Sequence, residues 1–180
     1  VKDNVMPTLS TVDEARRFSR AAKKLKRTVS AHVKVDTGMG RLGAPIDQAT
    51  DLIEAIACLP NVNAVGIYTH YAAAESDATL SRTQRIHFHQ LVGELKTTGY
   101  SFHHIHMNNS AGLLHEPKSI HNLARPGLLV YGVLPTGSRR PPAILKRNIH
   151  PALSWKCRVS LVKYSTKGTK LSYGQTFTAP

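Results

Sequence analysis

The stretch His32-Val33-Lys34-Val35-Asp36-Thr37-Gly38-Met39-Gly40-Arg41-Leu42-Gly43 decides the fold. Val29, Ala31, Val33 and Val35 alternate with polar residues, the period of a strand with one apolar face. Three glycines within six positions then bend the chain sharply. In an α/β sheet, a strand that ends in a glycine-rich loop brings the chain to the carboxyl edge, where ligands collect. Lys34, Asp36 and Arg41 are the charges delivered there. A surface turn with solvated charges is the plainer reading. A site is preferred, because a Lys among strand residues is costly to bury without an anionic partner or altered chemistry.

Outward from this stretch the chain alternates helix and strand. Thr11-Val12-Asp13-Glu14 is a capping box, and Ala15, Phe18, Ala21, Ala22 and Leu25 form the apolar stripe of the helix it opens. Gln48 to Cys58 repeats the helical pattern with Leu52, Ile53, Ile56 and Leu59, and Pro60 closes it. Ala64 to His70 reads as a second strand, and Thr79 to Lys96 as a helix with Ile86 or His87, Leu91, Val92 and Leu95 inward. Phe102 to Met107 is a third strand, a short helix or turn spans Ser110 to His115, and Ala124 to Val133 is a fourth strand region. Strands separated by helices imply parallel pairing through right-handed crossovers. No Gly-x-Gly-x-x-Gly with a downstream acid is present, so part of a (β/α)8 barrel is favoured over an open doubly wound sheet. After Pro151 the period becomes two: Leu153, Trp155, Cys157, Val159 and Leu161 alternate, Lys167-Gly168-Thr169 turns, and Leu171 to Thr178 alternates again. This predicts the opening hairpin of a β domain. The expected division is barrel over 1–137, exposed linker over 138–150, and β domain from 151–180.

With 180 residues and 41% hydrophobic content the chain can bury a core. No long apolar segment suits a membrane span, and two cysteines are too few for a disulfide framework or a zinc site, so a reducing cytoplasm is expected. The absence of an initiator Met and the end on a strand-like run predict an internal piece of a longer protein. The formal net charge of +13 is lopsided: residues 1–116 carry +2 and residues 117–180 carry +11 without an acid. A basic nucleic-acid-binding module in 117–180 is therefore one reading, although no helix-turn-helix, zinc or aromatic RNA-binding pattern accompanies it.

Lys34, Arg41, His70, Asn109, Ser110, Arg125 and Gly127 all fall at or just beyond the carboxyl ends of successive strands. Each has an ordinary explanation: a satisfied core histidine at 70, a helix cap at Asn109-Ser110, a turn at Arg125-Pro126-Gly127. Together they resemble an anion site, with the Ser110 hydroxyl and the N–H groups around Gly127 and Leu128 cradling a phosphate and Arg125 and Arg41 as directional donors.

Lys-Val-Asp-Thr-Gly-Met-Gly-Arg-Leu-Gly at 34–43, Gly-Ile-Tyr-Thr-His-Tyr-Ala at 66–72, Asn-Ser-Ala at 109–111, Arg-Pro-Gly-Leu-Leu-Val-Tyr-Gly at 125–132 and Ser-Tyr-Gly-Gln-Thr at 172–176 resemble alanine racemases in order and spacing. The resemblance implies a pyridoxal 5′-phosphate enzyme with an N-terminal (β/α)8 barrel and a C-terminal β domain, acting as a head-to-tail homodimer. It implies that Tyr173 is one of two catalytic bases, serving the partner subunit's site, and that His70 links that tyrosine to Arg125. Arg125 then bonds the cofactor's pyridine nitrogen, and Tyr68, His70, Ser110, Gly127 and Leu128 complete the cofactor's surroundings. Arg41 corresponds to the arginine near the phenolic oxygen and the substrate carboxylate, and Lys34 to a carbamylated lysine beside it. The family's Schiff-base lysine, in a Lys-Ala-x-x-Tyr-Gly-His type segment, has no counterpart here, so the chain alone is expected to be inactive. Racemisation itself demands acid–base groups on both faces of Cα, and a tyrosine near a cationic network can be one member of the pair. The same barrel also serves broader amino-acid racemases.

Overall fold

The computed structural model describes residue 3, residues 5–116 and residues 120–180. The first three residues of the basic stretch 117–180 therefore lie outside the described residues, as do positions 1, 2 and 4 of the expected barrel segment.

A two-residue strand β1 (Thr8–Leu9) leads into α1 (Val12–Lys24) through the predicted capping box: Thr11 Oγ1 accepts from the Glu14 N–H at 3.2 Å, and Glu14 reaches back to the Thr11 N–H at 3.1 Å. Ala15, Ser19 and Ala22 are the buried residues of α1, whereas Ala21 and Leu25 of the expected stripe stay exposed. The stripe is rotated because Ser19 faces inward, its hydroxyl donating to the Pro60 carbonyl. β2 (Val29–Asp36) follows, then the short β3 (Ala44–Pro45), α2 (Ala49–Ala57) and β4 (Val62–Tyr68). Leu52, Ile53 and Ile56 bury the inner face of α2 as the spacing predicts. α3 (Ala78–Thr97) is capped by Asp77, whose carboxylate accepts from the Leu80 N–H. It turns Gln84, Phe88, Leu91, Val92 and Leu95 inward; Ile86 and His87 are exposed, since the inward row runs through 84 and 88. β5 (His104–His106) and α4 (Ser110–His115) complete the alternating part.

The strands pair in parallel in the order β1-β2-β4-β5, with β3 also parallel on β2. The register decides which side chains meet. His32, Gly66 and His104 stand in one row across β2, β4 and β5, and Lys34, Tyr68 and His106 in the next. Alternation puts both rows on one face of the sheet, while Ala31, Val33, Val35, Ile67 and Ile105 pack on the other with the helices. β2 is thus lined on both sides, as a barrel strand is.

The fourth strand expected over Ala124 to Val133 is not formed. Among the described residues, pairing beyond β5 consists of one parallel bridge, His106 to Leu123, supported by Asn122 N–H to the Ile105 carbonyl and Arg125 N–H to the Asn108 carbonyl. Pro126 then has no N–H to continue the ladder, and Leu128–Tyr131 winds into a 3₁₀ turn. Nor is 138–150 a bare linker: it holds α5 (Ala143–Asn148), and Arg139 is inserted between Glu116 and the carbonyls of Ala74 and His115. Leu153 to Lys163 forms no strand and is exposed throughout; the expected hairpin around Lys167-Gly168-Thr169 is replaced by a shorter one inside its second arm, β6 (Lys170–Leu171) antiparallel to β7 (Phe177–Thr178) across the 3₁₀ turn Tyr173–Gln175.

Candidate active site

The loop after β2 is built by Asp36 rather than by a ligand. Its carboxylate accepts from the N–H groups of Gly38, Met39 and Gly40 at 2.8–2.9 Å. Burial opposes its ionisation, but these three donors and Lys34 outweigh that and hold the carboxyl below its ordinary range. Gly43 closes the loop against β2: a Cβ there would lie 2.9 Å from the Asp36 nitrogen and from Lys34 Cγ, and its φ is +113°. Asp36 is therefore a structural member of the loop. Lys34 is buried, 4% exposed, and donates to the Val35 carbonyl at 2.7 Å. Burial first, then Arg125 and Arg41, lower its pKa to about 8 against the pull of Asp36. Arg41 lies exposed on the same loop.

The loop after β4 carries His70. Gln84 of α3 fixes it, accepting from the Ala72 N–H at 3.0 Å and donating to the His70 carbonyl at 3.1 Å and to Thr37 Oγ1 at 3.2 Å. Thr37 in turn bonds Thr69 at 2.8 Å, so the loops after β2 and β4 are tied together. Arg125 is the centre of the arrangement. One arm of its guanidinium bonds His106 Nδ1, the other donates to the Thr69 carbonyl at 2.8 Å and to His70 Nδ1 at 3.2 Å, and its carbon lies 4.7 Å from the Tyr68 ring centroid. Burial and then the Arg125 charge push His70 down to about 4 and His106 to about 3, so both rings are neutral at pH 7. A guanidinium only donates, so each Nδ1 is an acceptor and each proton sits on Nε2.

His70 and Arg125 open into a cleft of about 360 Å³ with Asn109, Ser110, Gly127 and Leu128, all predicted from sequence, and with Glu75, Pro135 and Thr136, which were not. Asn109 is the helix cap, its side chain accepting from the Gly112 N–H, which leaves the Ser110 hydroxyl at the cleft, where it accepts from the Leu129 N–H at 3.2 Å. The N–H groups of Gly127 and Leu128 have no acceptor among the described residues. A hydroxyl, free backbone donors and a guanidinium on one wall fit a phosphorylated, ring-bearing ligand. Tyr173 is fully exposed, on the 3₁₀ turn Tyr173–Gln175, and the structure does not bring it to the cleft. His32 and His106 escaped the sequence reading, because their signal is cross-strand register. Among the described residues no group of three or more His, Cys, Asp or Glu could hold a metal, and no helix is long and apolar enough to cross a membrane. Both cysteines are free and exposed.

A family model described as "Alanine racemase, N-terminal domain" matches residues 1–135. The alanine racemase of Desulfosudis oleivorans is 38% identical over 191 residues, covering 100% of this chain and 48% of that protein. That of Syntrophobacter fumaroxidans is 35% identical over 178 residues, covering 98% and 46%. Among solved structures, an alanine racemase from a D-cycloserine-producing Streptomyces lavendulae superposes with a TM-score of 0.80 at 26% identity, over 96% of this chain and 46% of that one. The alanine racemase from Streptomyces coelicolor A3(2) matches in fold with a TM-score of 0.85 at 23% identity, over 100% and 48%. The chain spans about half the length of the curated relatives it matches. The parallel α/β part is accordingly a portion of a (β/α)8 barrel, and the chain belongs to the alanine racemase family.

Proposed function

We propose that this chain supplies the cofactor-holding wall of a pyridoxal 5′-phosphate-dependent racemase that interconverts L-alanine and D-alanine. The observation that carries this reading is the convergence on one cleft of Arg125, His70, the Ser110 hydroxyl and the free N–H groups of Gly127 and Leu128. When bound, the cofactor supplies the conjugated ring that takes up the electron pair of the Cα–H bond. Ser110, Gly127 and Leu128 would hold its phosphate, and Tyr68 and Arg125 its ring. Arg125 is a permanent cation, so a ring nitrogen facing it stays unprotonated and the electron sink is moderated. His70 orients the guanidinium and presents its Nε2–H away from it, toward the place a tyrosine must reach.

Tyr173 is the proposed second base, delivered from another copy of the chain in a homodimer; its complete exposure leaves the phenol available to a partner. Arg41 is proposed to hold the substrate carboxylate. Lys34, with its pKa lowered to about 8, is far more often neutral than an ordinary lysine, and the neutral amine is the form that can attack carbon dioxide, losing a proton to give a carbamate. That anion would sit beside Arg41. The proposed division remains barrel over 1–137, connection over 138–150 and β domain from 151, in a cytoplasmic protein. Of the basic residues in 117–180, Arg125 and Arg139 are engaged inside the fold, which weakens the nucleic-acid reading.

The test is conversion of L-alanine to D-alanine by the whole protein with pyridoxal phosphate, beside a Tyr173→Phe variant. Conversion that falls about a hundredfold or more in the variant supports the reading. Cofactor absorbance without any racemisation of alanine refutes the assigned activity.

A further inference from the structure

His106 is buried and flat against Tyr68, with ring centroids 4.6 Å apart at 7°. Its Nδ1 is occupied by the Arg125 guanidinium, so its proton resides on Nε2 and needs an acceptor there. The atom that meets it, at 2.8 Å, is Nδ1 of His32. His32 does not line the cleft. Its ring is nevertheless seated with precision: a Cβ on Gly66, its row partner on β4, would lie 2.8 Å from three of the His32 ring atoms, and His104 stacks on it at 5.3 Å. Register, a missing side chain and an ordered hydrogen-bond chain thus independently converge on one ring orientation.

We infer that His32 is a positioning residue for Arg125, acting through His106. The lone pair on His32 Nδ1 receives the Nε2–H of His106, which keeps His106 Nδ1 free to receive the guanidinium. Reversing the His32 tautomer would set two N–H groups against each other and push the His106 proton toward the arginine. Burial, His104 and Arg125 all lower the His32 pKa, which favours the neutral ring this chain requires. The inference rests on the racemase reading for its kinetic consequence but not for the tautomers themselves.

The experiment labels histidine nitrogens in the whole protein and reads tautomers by long-range proton–nitrogen NMR, in wild type, His32→Phe and His32→Asn. Phe keeps a ring without a lone pair; Asn keeps an acceptor near the Nδ1 position. Expected are Nε2–H tautomers on His32 and His106 in wild type, loss of the single His106 tautomer in His32→Phe, and its retention in His32→Asn. Alanine turnover should fall about tenfold in kcat with little change in KM for Phe and recover in Asn. A proton on Nδ1 of His106 in wild type, or a His106 pattern unchanged by Phe, overturns the inference. Where Phe does not fold, the wild-type tautomers decide. Failure of the wild type to racemise alanine would overturn the activity and leave the tautomer result standing.

Discussion

Lys34 is the residue where burial and chemistry meet most directly. Its folded-state pKa, about 8, lies below the ordinary 10.5, so the native state releases its proton before the unfolded chain does. Stability tied to this group is therefore complete above pH 10.5 and is lost as pH falls through 8. In buffer free of carbon dioxide, where Lys34 is an amine, Lys34→Met, which keeps the length and removes the charge, is expected to raise stability at pH 7 by about 1–3 kcal/mol, with the gain shrinking toward pH 10.5. Denaturant melts at the two pH values check this. The histidines act with the same sign at the other end: His70 and His106, ordinarily near 6.5, stand at about 4 and about 3 in the fold. Stability they contribute is present above pH 6.5 and is lost as pH falls toward 4 and 3, so the melting temperature should drop over that window. In a His106→Leu variant the drop should be shallower. The presence of Lys34 in the strand was the clue to this site in the sequence; that its amine would turn back to the carbonyl of the next residue, Val35, was not, because strand periodicity fixes the face of a side chain and not the path of a long one.

The elements divide by how local their signal is. α1, α2 and α3 and the strands β2 and β4 follow from periodicity and caps, which neighbouring residues determine by themselves. The run Leu128-Leu129-Val130-Tyr131 has strand-like composition and still winds into a 3₁₀ turn, because Pro126 ends the ladder and nothing in the composition outweighs a missing N–H. Residues 153–163 alternate correctly, but alternation describes one strand and a ladder requires two. Gln84 on α3 is the element-scale surprise: a polar residue in the inward row that holds two loops at once. Gln84→Leu should cost about 1–3 kcal/mol, since it strands the half-buried Ala72 N–H and His70 carbonyl. Hydrogen exchange at Ala72 should accelerate well beyond that at β2 amides; equal protection would show that the loop holds itself. On β4, Gly66→Ala should cost about 1–3 kcal/mol by driving the His32 ring from its seat, read from the melting curve.

At the scale of the molecule, the cleft exists because distant segments are clamped together. Glu116 lies 2.8 Å from Arg139 and 3.7 Å from Arg85, and the Arg139 N–H donates to the Glu75 carbonyl at 3.0 Å. This network fixes the segment that brings Pro135 and Thr136 against the cleft. Glu116→Gln is expected to cost about 2–4 kcal/mol and to loosen that wall, lowering cofactor affinity more than Arg85→Gln does. Sequence placed Arg139 in an exposed linker, because partners 23 residues earlier in the chain leave no local mark. The candidate site was legible mainly through five motifs in register, while the histidine rows behind it are a product of sheet pairing. We propose that this fold holds Arg125 against the cofactor for a two-sided proton exchange at Cα. The direct measurement is turnover of L-alanine by the whole protein with pyridoxal phosphate in deuterium oxide, followed by chiral separation and proton NMR at early times. Two-sided exchange yields D-alanine carrying deuterium at Cα while the remaining L-alanine is largely unlabelled. D-alanine that retains the original Cα proton, or no D-alanine at all, would contradict it.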